Sequence, residues 1–248
     1  MLTDYVSIDL ETTGLNPKTD KIIEIGAVKV CNGVVTDRLT TFVNPGRSLC
    51  EKVTELTGIT NEDVKEAPAI SEVIARVCEF TGDEVLLGQN LIFDYSFLKK
   101  AAVNEKLSFE RQGVDTLRLA RRFLPELESK SLSALCAHYG ITLDAHRAYN
   151  DAYATHEVFC RLYEEFSQKE MDLFLPKPLC YSVKKEGPIT KKQVEQLQRL
   201  AVKYDIRVIN KTVFLADRKC IPDDQDIMML TKNEASRLID RLLATYGR

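Results

Sequence analysis

Long apolar runs, closely spaced cysteines and histidines are all scarce in this 248-residue chain. No apolar stretch approaches the ~20 residues that a bilayer span needs, so a spanning helix is excluded and no membrane partner is expected. The opening Met1-Leu2-Thr3-Asp4 has neither a basic region nor an apolar one, so a secretory signal is not expected and a cytoplasmic protein is. The seven cysteines are never closer than 19 positions and form no C-x-x-C pair. A disulfide framework and a zinc site are both excluded, leaving buried reduced thiols. With 44% hydrophobic and 29% charged residues, the chain is no disordered segment, collagen repeat or coiled-coil rod.

The net charge of −3 is unevenly spread: residues 167–248 carry 16 basic and 11 acidic side chains, a balance of +5, and residues 1–166 carry −8. The larger part is therefore not a basic nucleic-acid clamp. If it handles phosphate, a bound cation must supply the positive field.

The chain opens as sheet. Tyr5–Leu10, Ile22–Cys31 and Val34–Val43 are β-rich runs, the last two joined by Asn32-Gly33, a strong hairpin signal. Helices are expected over Ser71–Phe80, Phe93–Asn104, Ser131–Tyr139 and Ala148–Phe166. The short apolar run Val85–Gly88 reads as a strand buried on both faces. Arg118, Arg121 and Arg122 occupy the polar side of a further helix. They read either as a phosphate-tracking stripe or as a solvated face. The fold class is α/β, a mixed sheet flanked by helices, plus a small C-terminal α+β unit. Residues 169–188, punctuated by proline and glycine, read as a linker. In 189–248, Thr190-x-x-Gln193 and Thr231-x-x-Glu234 match the capping box and start two helices. Between them lie a β-rich run, Ile206–Ala216, and an acidic loop with Asp223, Asp224 and Asp226.

Three short segments carry chemistry. In Ile8-Asp9-Leu10-Glu11, strand alternation sends Ile8 and Leu10 to the core and points Asp9 and Glu11 together from the other face. Paired carboxylates repel, and a divalent cation relieves them; a solvated acidic strand end is the alternative. Asp94 follows the buried strand among Leu91, Ile92, Phe93, Phe97 and Leu98, either as a ligand or as a helix N-cap. His146 precedes the last helix of the first part by five residues from Asp151, which alternatively only complements the helix dipole. His138 and His156 sit inside helical patterns and read as packing or surface residues.

The order D-x-E, then a buried Asp, then H-x4-D resembles the DEDDh 3′–5′ exonucleases. Within them it resembles the proofreading exonuclease of bacterial DNA polymerase III and its stand-alone relatives, over about residues 1–168. Thr57-Gly58-Ile59-Thr60 also looks like a loop common in that family, while Gln89 departs from the histidine often found there. The resemblance implies a ribonuclease H-like exonuclease domain at 1–168 and two divalent ions, Mg²⁺ or Mn²⁺. Asp9, Glu11 and Asp151 would hold one ion, and Asp9 and Asp94 would help hold the second. His146 would be the general base; an imidazole titrates near about 6.5, suited to neutral pH. By the same likeness, the backbone of Thr12, Thr13 and Gly14 would approach the terminal nucleotide. Leu15 and Phe93 would stack on the end base, Asn90 would steady the strand, and His146 would touch substrate. The implied reaction removes nucleoside 5′-monophosphates from 3′ ends, single-stranded DNA first and RNA as the runner-up. A tethering subunit bound to a DNA polymerase or another repair protein is the reading of a different class.

Overall fold

In a computed structural model of the chain, the β-branched opening forms an antiparallel meander of β1 (Tyr5–Thr12), β2 (Ile22–Cys31) and β3 (Val34–Phe42). The description covers residues 2–204, 206–209, 212–215, 227–228 and 230–247. Asn32 and Gly33 join β2 to β3 with φ of 52° and 76°. Both are left-handed, as a two-residue hairpin turn matched to strand twist requires. β4 (Val85–Gly88) and β5 (Gln112–Asp115) run parallel to β1, and β6 (Lys177–Pro178) closes the far edge antiparallel. The sheet order is β3-β2-β1-β4-β5-β6, the ribonuclease H-like mixed sheet that the resemblance implied.

Both faces of the sheet are covered. Ile8, Leu10, Ile25, Ala27 and Leu86 face α3 (Ile70–Thr81) and α4 (Ile92–Asn104). Tyr5, Val28, Val30 and Leu87 face α5 (Thr116–Phe123), α6 (Leu132–Tyr139) and α7 (Ala148–Phe166). The helix stripe Ala148, Ala152, Thr155, Phe159, Leu162 and Phe166 is buried throughout. Ser7 Oγ donates to Ala152 O at 2.6 Å, fixing α7 over β1. Gly26 fixes it over β2: a Cβ there would lie 2.1 Å from both Ala148 C and Tyr149 N.

Some elements escape the sequence pattern. α1 (Glu51–Thr57) and α2 (Asn61–Lys65) have 7 and 5 residues, too short to show a helical period. The start of α2 is nonetheless a capping box, Thr60 with Asp63 in the place usually taken by Glu or Gln. β1 runs two residues beyond Leu10 because Glu11 and Thr12 still pair with β2. Parts of the stretch read as a linker are structured. Phe174 is buried and stacks on Phe123 at 5.6 Å, while Lys177–Pro178 form β6.

The chain divides into two units, Met1–Val183 and Lys184–Arg248. In the second, α8 (Lys191–Tyr204) and α9 (Lys232–Tyr246) pack about Leu197, Leu200, Leu230, Leu238 and Leu242, and β7 (Ile206–Ile209) pairs antiparallel with β8 (Thr212–Leu215). Both expected capping boxes form. The similar helix starts lie side by side, with Ile189 N donating to Leu230 O at 3.1 Å and Lys232 N to Gly187 O at 2.9 Å. Ala216 and the acidic residues Asp223, Asp224 and Asp226 lie outside the described residues. The six cysteines among the described residues are free, and no described helix is long and apolar enough to cross a membrane.

Because Gly26 meets backbone and not a side-chain tip, Gly26→Ala must push α7 off β2. Urea unfolding should register a loss of about 1–3 kcal/mol, the usual range for overpacking. An unchanged midpoint would show that α7 does not rest on the strand this closely.

Candidate active site

Three elements converge outside the carboxyl ends of the parallel strands β1 and β4, where open α/β sheets bind ligands. β1 contributes Asp9 and Glu11, both half-buried, on the face that carries α7. α4 contributes Asp94 from its first turn, 2% exposed. Asp94 does not cap its own helix: its Oδ1 accepts the Leu10 amide across the sheet edge at 3.1 Å. α7 contributes Asp151 from its first turn, and the preceding loop contributes His146. All five residues singled out in the sequence therefore meet at one place.

Burial sets the electrostatics, and neighbouring carboxylates add to it. Asp9 is pushed well above the ordinary carboxylate range by burial first, then by Asp94, Asp151, Glu11 and Glu24. Burial likewise raises Asp94, against the lowering effect of the Leu10 amide. Glu11 is pushed up to about 7 by burial, then by Asp151 and Glu24. Asp151 is raised by burial and held back by the His146 amide, which donates to its Oδ2 at 3.1 Å. Its other oxygen, Oδ1, is buried and has no hydrogen-bond partner. A buried carboxylate oxygen without a partner is costly, so Oδ1 is the atom of Asp151 still open to a ligand.

His146 is exposed and adopts φ of 68°, a left-handed conformation costing a non-glycine residue about 1–2 kcal/mol. Among the described residues, ligand atoms of Glu11, His146 and Asp151 all lie within 4.8 Å of one another. The trio includes His146 where the resemblance implied Asp9, although Asp9 lies in the same field of charge. Converging carboxylate oxygens with one free lone-pair site fit a hard divalent cation such as Mg²⁺ or Mn²⁺.

The residues expected to touch substrate flank these ligand residues in the chain, after β1 and at the start of α4. Leu15 is 84% exposed at the tip beyond β1. Thr13 is committed to the scaffold: its amide donates to Lys21 O at 2.8 Å, and its hydroxyl accepts from Arg47 and from the Lys21 amide. Thr12 donates from its hydroxyl to Gly14 O at 2.8 Å. Asn90 takes a left-handed φ of 64° while its amide donates to Asp115. Phe93 packs on Phe97 at 5.1 Å and is partly buried. Gln89 points inward, accepting from Thr116 and donating to Lys130 O, so this departure from the family pattern braces the fold. On α5, Arg122 pairs with Glu170 at 2.8 Å, and Arg118 and Arg121 are exposed. His156 is buried against the Tyr5 hydroxyl at 2.7 Å, a packing role.

Sequence reasoning missed Glu24. It is 1% exposed, directly opposite Glu11 in the β1–β2 register. It accepts from Arg147 at 3.0–3.4 Å and from the Ala148 amide at 3.1 Å. The available signal was a charge inside the apolar run Ile22-Ile23-Glu24-Ile25, since an acidic residue is almost never fully buried unless paired.

Comparison with known proteins places this geometry. Residues 6–159 match the exonuclease family model RNase_T. DNA polymerase III PolC-type of Clostridium perfringens is 41% identical over 171 residues, 68% of this chain but 12% of the relative. DNA polymerase III subunit epsilon of Aquifex aeolicus is 36% identical over 163 residues, 65% of this chain and 81% of the relative. The chain thus spans about one-eighth of the PolC-type relatives' length. Among solved structures, Exonuclease X in complex with 5′ overhanging duplex DNA superposes with a TM-score of 0.54 at 25% identity, covering 68% of this chain and 98% of that one. E. coli Exonuclease I in complex with a dT13 oligonucleotide, 20% identical, shares the fold: TM-score 0.60, over 68% of this chain and 43% of that one.

The raised carboxyls make a prediction about stability. Glu11 is raised from 4.5 to about 7, so folding favours its protonated form. Stability is greatest below the ordinary value and is lost as pH rises through about 7; Asp9 and Asp94 act in the same direction. In EDTA, the thermal midpoint should fall from pH 5 to pH 8. Mn²⁺ should raise it more at pH 8 than at pH 5. A midpoint that rises with pH in EDTA, or ignores Mn²⁺ at pH 8, would contradict the cluster's electrostatics.

Proposed function

The chain belongs to the exonuclease family RNase_T, and from that premise we propose that it is a metal-dependent 3′–5′ exonuclease acting on DNA ends. One observation carries the reading: four mutually repelling carboxyls, one with an orphaned buried oxygen, gathered beside an exposed histidine. A structural acidic patch would be dispersed into solvent. This one is held together by the fold.

Glu11 and Asp151, with Asp9, would hold one divalent cation, and Asp9 with Asp94 would help hold a second. Two such cations, when bound, supply Lewis-acid stabilisation to the attacking and leaving oxygens of an in-line phosphoryl displacement. His146, at the open rim, accepts the proton of the attacking water through an imidazole nitrogen. Water oxygen then bonds to phosphorus as the bond to the 3′ oxygen of the shortened strand breaks; that oxygen takes a proton from solvent to become a 3′-hydroxyl, and a nucleoside 5′-monophosphate is released. Leu15, exposed beyond the end of β1, packs on the terminal base, with Phe93 and Asn90 lining the approach. Thr13 holds its loop in shape, and the room left by the missing side chain of Gly14 is taken by the Asp20 carboxylate. The named relatives belong to DNA polymerase III, so replication proofreading or repair is the context proposed, with a DNA polymerase as the partner to test first.

A gel with 3′- and 5′-labelled single-stranded DNA, beside matched RNA, tests this with Mn²⁺ and with EDTA. Mononucleotide release from the 3′ end, abolished by EDTA and faster on DNA, is expected. Asp9→Ala and Asp94→Asn should each cost more than the roughly 10–100-fold typical of outer-shell residues. His146→Ala should cost about 10²–10⁴-fold. Undiminished cutting by Asp9→Ala would remove the site, and faster cutting of RNA would reassign the substrate.

A further inference from the structure

We propose that Glu24 and Arg147 form a clamp that positions His146, making Arg147 a positioning residue and not a phosphate ligand; this rests on the reading of His146 as general base. Glu24 is a fifth acidic side chain beside Asp9, Glu11, Asp94 and Asp151, and it adds to the repulsion that Asp9, Glu11 and Asp151 feel. As a ligand it is poorly placed, because both of its oxygens are already engaged. Arg147 Nε lies 3.2 Å from Oε1 and 3.4 Å from Oε2, Arg147 Nη2 lies 3.0 Å from Oε1, and the Ala148 amide lies 3.1 Å from Oε2. A buried carboxylate bound by a planar guanidinium fork has a set direction as well as a set distance. The guanidinium also sits 5.4 Å from the centre of the Phe42 ring.

The residue held this way is the immediate neighbour of His146. A histidine keeps a left-handed backbone only where its surroundings over-determine it. Two carboxylates do so here. Asp151 takes the His146 amide on one side, and Glu24 takes the Arg147 side chain and the Ala148 amide on the other. Asn150 adds a third tie, donating to Asp144 O at 3.1 Å across the loop. Remove the fork, and His146 keeps its chemistry but loses its aim. This is the general case of outer residues locking the rotamers and backbone of reacting ones.

The test uses the full chain and two conservative variants. Arg147→Lys keeps the charge opposite Glu24 but loses the fork. Glu24→Gln keeps an acceptor for Ala148 and leaves no unpaired buried charge. At saturating Mn²⁺, Arg147→Lys should lower kcat about tenfold, with KM for a DNA oligonucleotide unchanged within about twofold. In a His146→Ala background, it should lower kcat no further, because the clamp acts through the missing imidazole. In the metal-free protein, exchange of the His146 amide should quicken at least about tenfold in both variants, although Glu24 does not touch that amide. Unchanged kcat, a raised KM, additive loss in the His146→Ala background, or unaltered exchange at His146 would each overturn the clamp. Wild-type protein that cuts neither DNA nor RNA would instead overturn the exonuclease reading, and amide exchange would still decide whether the clamp holds His146.

Discussion

Mutual repulsion among buried carboxylates at the end of β1 is the constraint on which the rest of this structure depends. Two such charges about 4 Å apart repel by roughly 4 kcal/mol at an effective dielectric of 20. Asp9, Glu11, Asp94, Asp151 and Glu24 all contribute to one such field. The chain offsets it piecemeal. The Leu10 amide serves Asp94, the His146 amide serves Asp151, and Arg147 with the Ala148 amide serves Glu24. Asp9, Glu11 and the free oxygen of Asp151 remain for protons or cations. The partners are thus distributed so that Glu24 is spent on structure and the others stay open to ligands.

The fold makes that distribution possible by seating α7 on bare strand. Gly26 lies opposite Asp9 in the register, and its missing side chain lets the backbone of Ala148 and Tyr149 approach β2. Ser7, two residues before Asp9, takes the Ala152 carbonyl of the same helix. One strand face therefore carries, in order, a hydroxyl that anchors the helix, then the two carboxylates. Since packed interiors transmit strain with little give, anything that lifts α7 also moves Asp151 and His146. The stability of this region and the geometry of the site are one problem.

Charge across the whole chain follows the same logic. The part that bears the site is acidic overall, at −8 over residues 1–166, so its own field opposes a phosphate backbone. A divalent cation in the cluster would reverse the field locally, where the reaction is proposed to occur, without making the surrounding surface sticky to nucleic acid. The second unit carries the opposite balance, +5 over residues 167–248 with the connecting stretch included. Its core is its own, closed by paired capping boxes at the two helix starts.

Local signals in the sequence determined much of this. Strand alternation put Asp9 and Glu11 on one face, Asn32-Gly33 specified the hairpin, and helical period located α3, α4, α6 and α7 to within a residue or two. These depend on neighbours a few positions apart, and the residue order states them directly. The D-x-E, buried Asp and H-x4-D segments were legible as chemistry because acidic residues in apolar surroundings need a reason. Tertiary structure alone decided the rest. Glu24 lies 123 positions from Arg147, and no local pattern announces a partner so distant. Thr13 and Gln89 proved to be committed to the scaffold through Lys21, Arg47, Thr116 and Lys130, contacts set by how loops cross. The short α1, α2 and β6 owe their form to neighbours and not to period. The sequence determines which groups carry charge; only packing determines which of those charges are already answered.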